Sequence, residues 1–363
     1  MTEFSFARSL LLMLAFSAQP LSAAQVPDLF QGEVLVNEQT QASRAEANQR
    51  ALAQVLVKLS GSREGISPAA LAGAERMVLK FQYAQRAYAP VPGMFEEPIS
   101  ELLLQSNFDA VLAQQKRRAM GLSDWGRERP APAVLIGLDG LGAQVLLLNT
   151  QATPPRMFAD AARRRGLPIT WMAGSVISAP ALFAADDATL AARAASIDAP
   201  AVLFGRIARA AEGWVGRWTL VDDQGSDSWS LVDPSARRAI EAGAEGAADR
   251  LAARYASKPG QAPAQSITLV VAGINSLNDY ARVTGYLRGL SLATRIDPLE
   301  ADRGVLKFRL ALTTSMDRFT QVLGFGSVLA VARADEPADI VLSDSGALSD
   351  ASPLDELKVY LRP

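Results

Sequence analysis

Two carboxylate pairs, Asp186-Asp187 and Asp222-Asp223, are the residues best able to do chemistry in this chain. Adjacent carboxylates can ligate Mg²⁺ or Ca²⁺, or divide into acid and base when their surroundings push their pKa values apart. Each pair also has a plain structural use. Asp186-Asp187 opens a predicted helix, where Asp caps, and Asp222-Asp223 borders a predicted hairpin turn, where Asp bonds its own backbone. Two cationic runs, Lys116-Arg117-Arg118 and Arg163-Arg164-Arg165, could meet phosphate or an acidic glycan. Both end predicted helices and are followed by Gly, a placement that the helix dipole favours without a ligand. The loop Gly137 to Gly142 follows a strand as a phosphate loop would, but lacks the full glycine spacing and the lysine.

Aromatic residues offer a different kind of site. Trp214, Trp218 and Leu220 share one face of a predicted strand, and Trp229 with Leu231 can share a face of the next. Exposed, they would dock a protein or stack a sugar; buried, they are the core under a helix. Trp125 stands in a polar, Pro-interrupted stretch beside Arg129, so it either plugs a domain interface or is displayed to a partner. Trp125, Arg129, Trp214 and Trp218 are therefore the candidate partner-binding residues.

The chain has no His and no Cys. Ser-His-Asp triads, His general bases, most zinc sites and disulfides cannot be built from it. What remains is carboxylate chemistry, Ser-Lys pairs or oxygen-ligated cations, and no motif assigns a catalytic, metal or cofactor-binding residue. The formal charge of −2 over 363 residues carries neither the footprint of a nucleic-acid binder nor the polybasic patch of a membrane-surface protein.

These residues must be held by elements that the pattern lays out in three α/β modules. The first, residues 25–121, has a strand over Gly32 to Asn37. A capping box at Ser43 and Glu46 then opens a helix that buries Leu52, Val55, Leu56 and Leu59 and closes at Gly61. A second helix is predicted over Ser67 to Ala87, a strand near Leu102 to Gln105 and a helix from Asp109 to Met120. The middle module, residues 131–256, has strands at 134–138, 144–148 and 169–171, helices at 155–165 and 187–196, and three strands between Ala201 and Val232. Its last helix is capped by Asp233 with Pro234 at the first position, and Ala and Gly at 242–244 and 246–248 let it lie close to a sheet. A Pro/Gly linker, 257–265, leads to residues 266–363, whose strands and helices run βαββαβ, the ferredoxin-like order.

The first 24 residues read as a secretory signal peptide. Arg8 is the positive region, Leu10 to Phe16 the short apolar core, and Ser22-Ala23-Ala24 the cleavage site. The mature chain is expected to start near Gln25 in the periplasm, with no later run of membrane-spanning length.

The layout resembles the bacterial domain-of-unknown-function family 2066. The likeness is carried by the Ala-rich helix Arg44 to Leu59, Asn107-Phe108-Asp109 leading into the helix that ends at Gly121, Trp125 before Arg129-Pro130, and Val202 to Gly205 with Trp214 to Leu220 before the helix closing at Tyr255. In element order the middle module is similar to the N-terminal domain of TolB and to the domain of periplasmic lipoproteins that activate penicillin-binding proteins; the first is more loosely similar to a small domain of flagellar assembly protein T. The lipoproteins' anchoring Cys is missing here. The resemblance implies a non-catalytic envelope protein that binds other envelope proteins, with no cofactor. The alternative is a carboxylate-dependent hydrolase or glycan-active enzyme with its site in a cleft between modules.

Overall fold

The computed structural model describes residues 26, 28–140, 142–172, 176–257, 265–290, 292–302, 304–326, 328–331 and 356–362. The signal stretch and nearly all of the linker lie outside the described residues. The described chain is a mixed α/β protein built on three separate sheets.

The first sheet has the order β1-β3-β2, from β1 (Gln31–Leu35), β2 (Val78–Tyr88) and β3 (Ile99–Phe108), all antiparallel. Helix α1 (Gln41–Ser60) lies on one face, with Leu52, Val55, Leu56 and Leu59 in the core. Its cap is Thr40, whose hydroxyl accepts from the Ser43 amide at 3.2 Å, so Ser43 is already inside the first turn and not the cap expected. Gly61 closes the helix at φ 80°, as its position implied. Helix α2 (Ala110–Ala119) follows β3 and is capped by Asp109.

The helix expected over Ser67 to Ala87 is absent. Two short 3-10 turns, Pro68–Leu71 and Ala74–Met77, lead straight into β2. Ten residue pairs tie β2 to β3, with a bulge at Leu79, and this long-range ladder overrides the local helix propensity of the Ala-rich segment.

The middle sheet runs β5-β4-β7-β8-β9: β4 (Ala133–Asp139), β5 (Gln144–Leu146), β7 (Ala201–Ala210), β8 (Gly213–Asp222) and β9 (Gly225–Asp233), with the short β6 (Thr170–Trp171) also on β4. Helices α3 (Thr153–Arg165) and α6 (Ala236–Tyr255) cover one face, and α4 (Ala179–Ala184) and α5 (Asp187–Ala194) the other. The α6 cap is Ser235, while Asp233 ends β9 and accepts the Ser235 amide at 2.8 Å.

In α6 the small residues have a definite use. Trp218 Nε1 donates to Ala239 O at 3.2 Å and Trp229 Nε1 to Ala242 O at 3.1 Å. Gly243 and Gly246 stand four residues after those acceptors, and a Cβ at either would run into the indole that uses the opening.

The third sheet has the order β11-β12-β10-β14-β13, from β10 (Gln265–Ala272), β11 (Ala293–Asp302), β12 (Val305–Leu312), β13 (Leu329–Val331) and β14 (Glu356–Leu361), with α7 (Leu277–Gly289) and α8 (Met316–Phe325). The neighbour order of β14, β10, β12 and β11 is that of the expected βαββαβ pattern. One feature departs from it. The extra strand β13 reverses the chain once more after α8, so β14 lies parallel to β10.

Candidate functional site: a polar seam, a buried arginine and an open cleft

The face of the first sheet turned away from α1 carries charge. Glu33 on β1, Arg86 on β2 and Glu101 on β3 meet Asp160, Arg163 and Arg164 from α3 and Arg237 and Glu241 from α6. Arg163 grips both Glu33 oxygens at 3.0 Å and reaches Asp160 at 3.1 Å. Arg86 pairs with Glu33 and lies 3.4 Å from Asp160 and 3.8 Å from Glu101. Arg237 pairs with Glu101 and, at 3.0 Å, with Glu241, which also takes Arg164 at 2.8 Å. Tyr88 donates to Asp160 at 2.7 Å, with Arg156 and Arg237 against its ring.

Four arginines thus face four carboxylates in a balanced seam. Burial alone would raise the Glu33 carboxyl, but Arg163 and Arg86 overcome it and hold the group at about 2. Burial, reinforced by Asp160, pushes Tyr88 up to about 12. Sequence reasoning noticed only the arginine run at 163–165 in this set. For Glu33 and Glu101 the signal is a charge inside an apolar strand run, as at Glu101 in Ile99 to Gln105.

Trp125 and Arg129 form the second part of the junction. Trp125 is 1 % exposed and Arg129 0 %, so both are interior residues, and display to a partner is corrected to an interface plug. Arg129 stacks 3.9 Å over Trp125 and donates to four carbonyls: Gly126 at 2.8 Å, Gly166 at 2.6 Å, Lys58 at 2.6 Å and Trp125 at 2.7 Å. Lys58 and Gly166 mark the C-terminal ends of α1 and α3, whose carbonyls lack helical partners and carry partial negative charge. Burial lowers Arg129 to about 9. Arg165 does the same work beside it, on Gly61 O at 3.1 Å and Asp249 at 2.5 Å.

Trp214 and Trp218 are likewise buried, in the core beneath α6, and offer no face to a partner. The geometry brings Trp218, Phe158 and Trp171 together, with Phe158 5.4 Å from the Trp218 ring.

The two carboxylate pairs are apart. Asp186 caps α5 through the Thr189 amide at 2.8 Å, and Asp187 accepts from Thr219 at 3.2 Å. Asp222 is paired with Arg254 at 2.5 Å, and Asp223 accepts from Tyr255 at 2.7 Å and from Gln321 of α8 at 3.0 Å. Asp222 and Asp223 line a cleft of about 640 Å³ between the middle and third sheets, walled by α5, the 197–200 segment and α8. Among the described residues, no cluster of three carboxylates is placed to hold a metal ion.

With this geometry established, residues 23–126 match the model of a domain of unknown function, DUF8605. The matched stretch holds the whole first sheet and Trp125, and stops short of Arg129. No curated protein matches the chain. No helix among the described residues is long and apolar enough to cross a membrane.

Proposed function

We propose that this chain is a non-catalytic interaction protein of the bacterial periplasm, exported by a signal peptide cleaved near Ala24. It docks other envelope proteins through exposed strand edges. The observation that carries this reading is the outer half of β2. It is an edge strand, and Leu79 and Phe81 on it are 70 % and 43 % exposed. An unpaired strand edge bearing apolar side chains is a template for strand addition by a partner. The formal charge of −2 fits protein partners and not nucleic acid. The likeness to domain-of-unknown-function family 2066, and of the middle sheet's elements to the TolB N-terminal domain, points the same way. So does the commitment of Asp186, Asp187, Asp222 and Asp223 to local hydrogen bonds and ion pairs.

The test places a photo-crosslinking residue at Leu79 in cells and, as a control, at the buried Trp125. One reproducible adduct with an envelope protein from Leu79, lost in a Phe81→Lys background, supports the reading. Hydrolysis of a cell-wall glycan by the purified chain, abolished by Asp223→Asn, would replace it with the carboxylate enzyme.

A further inference from the structure

The cleft between the middle and third sheets is lined mostly by apolar residues, among them Ala195, Ile197, Val221, Gly324 and Phe325. Its volume, about 640 Å³, lies in the range of small-molecule sites. Among the described residues, a Cβ added at Gly324 would meet nothing within 4 Å.

The polar lining of the cleft is asymmetric in charge. Asp222 is neutralised by Arg254 at 2.5 Å. Asp223 instead receives two neutral donors, Tyr255 Oη at 2.7 Å and Gln321 Nε2 at 3.0 Å. Among the described residues no Lys or Arg forms an ion pair with it, and none lines the cleft. A carboxylate has room for about four donors, so two positions on Asp223 remain open. A largely apolar cleft that includes a carboxylate with no cationic partner complements a ligand with an aliphatic body and a cationic head, and repels the matching anion.

We propose that this cleft binds an alkyl chain bearing a primary ammonium group, with the ammonium on Asp223 and the chain along Ile197, Val221 and Phe325. The proposal goes beyond the strand-edge reading and concerns a separate site.

The test is calorimetric titration of the full mature chain with octylammonium, octanol and octanoate at neutral pH. Octylammonium is expected to bind about tenfold more tightly than octanol, the usual gain of a charge-assisted hydrogen bond, with octanoate weakest. Asp223→Asn should erase the preference for ammonium and leave octanol binding unchanged. Gly324→Phe should abolish binding of all three probes without lowering the melting temperature. Equal affinity for the three probes, no octylammonium binding up to its solubility limit, or full binding in Gly324→Phe would overturn the proposal. Each of those results leaves the strand-edge reading standing, because that is decided separately by crosslinking at Leu79.

Discussion

Arg163 and Glu33 stand 130 residues apart in sequence and meet through two parallel hydrogen bonds of 3.0 Å each. This fork joins α3 of the middle sheet to β1 of the first across the polar seam. Planar bidentate pairing is the strongest geometry available to an arginine and a carboxylate. Removing one partner strands the other charge in a buried site. Glu33→Gln is therefore expected to cost about 3–5 kcal/mol, read as a lower urea midpoint with unchanged slope.

The same residue sets an acid limb. Burial opposes ionisation of Glu33, and Arg163 and Arg86 outweigh it, bringing the carboxyl from 4.5 to about 2 in the folded chain. A folded pKa below the unfolded one means that the unfolded state binds the proton first. The stabilisation is thus complete above about pH 4.5 and is lost as pH falls through about 2. Between those values the native chain should lose up to about 3 kcal/mol, and Glu33→Gln should flatten that part of the stability profile. An identical acid slope in wild type and variant would remove Glu33 from the account.

Arg129 should tolerate no replacement. Its guanidinium supplies donors to four carbonyls drawn from three separate stretches of chain. Arg129→Leu leaves those acceptors without it and should cost about 4 kcal/mol or more, roughly a 10 °C fall in melting temperature by calorimetry. Arg129→Lys should recover little, because one ammonium cannot span the same four carbonyls.

Trp125 separates packing from hydrogen bonding. Its indole nitrogen is buried without a hydrogen-bond partner among the described residues. Trp125→Phe should then cost less than about 1.5 kcal/mol, whereas Trp125→Ala should cost about 3–5 kcal/mol through the cavity it opens. A large loss in the Phe variant would mean that the N–H has found an acceptor, such as a trapped water.

Gly243→Ala should destabilise the protein although alanine is the better helix former by about 1 kcal/mol. The added methyl meets the Trp218 ring, and the net loss expected is about 1–3 kcal/mol in chemical denaturation. Gly324→Ala on α8, where no described residue is met, is the matched control and should be neutral or stabilising.

The uneven legibility of the sequence follows from where its information sits. Helix α1, with its periodic leucines and Gly61, and the alternating strand β12 can be read locally because burial repeats at a fixed period. Strand β2 cannot. Its first half is exposed, so Leu79, Phe81 and Tyr83 show no clean buried face, and its identity comes from pairing with β3 across the 89–98 turn. The extra strand β13 has three residues, too few to show a period. The short capping choices at Thr40 and Ser235 differ from the expected Ser43 and Asp233 because several residues in a row could each cap. The contacts of Arg129 and of the seam are hidden in the sequence for another reason. Their partners, at positions such as 58, 166 and 241, become neighbours only once three elements have packed.

Asp124 and Ser257 exchange both backbone hydrogen bonds at 2.8 Å, so the chain passes into and out of the middle sheet and its helices through a single doorway. The two ends of that stretch are pinned side by side at its base, in addition to the seam and Arg129 that tie it to the first sheet. Because those ends are adjacent, circular permutation at Asp124 and Ser257 would not lengthen the path of the flanking chain.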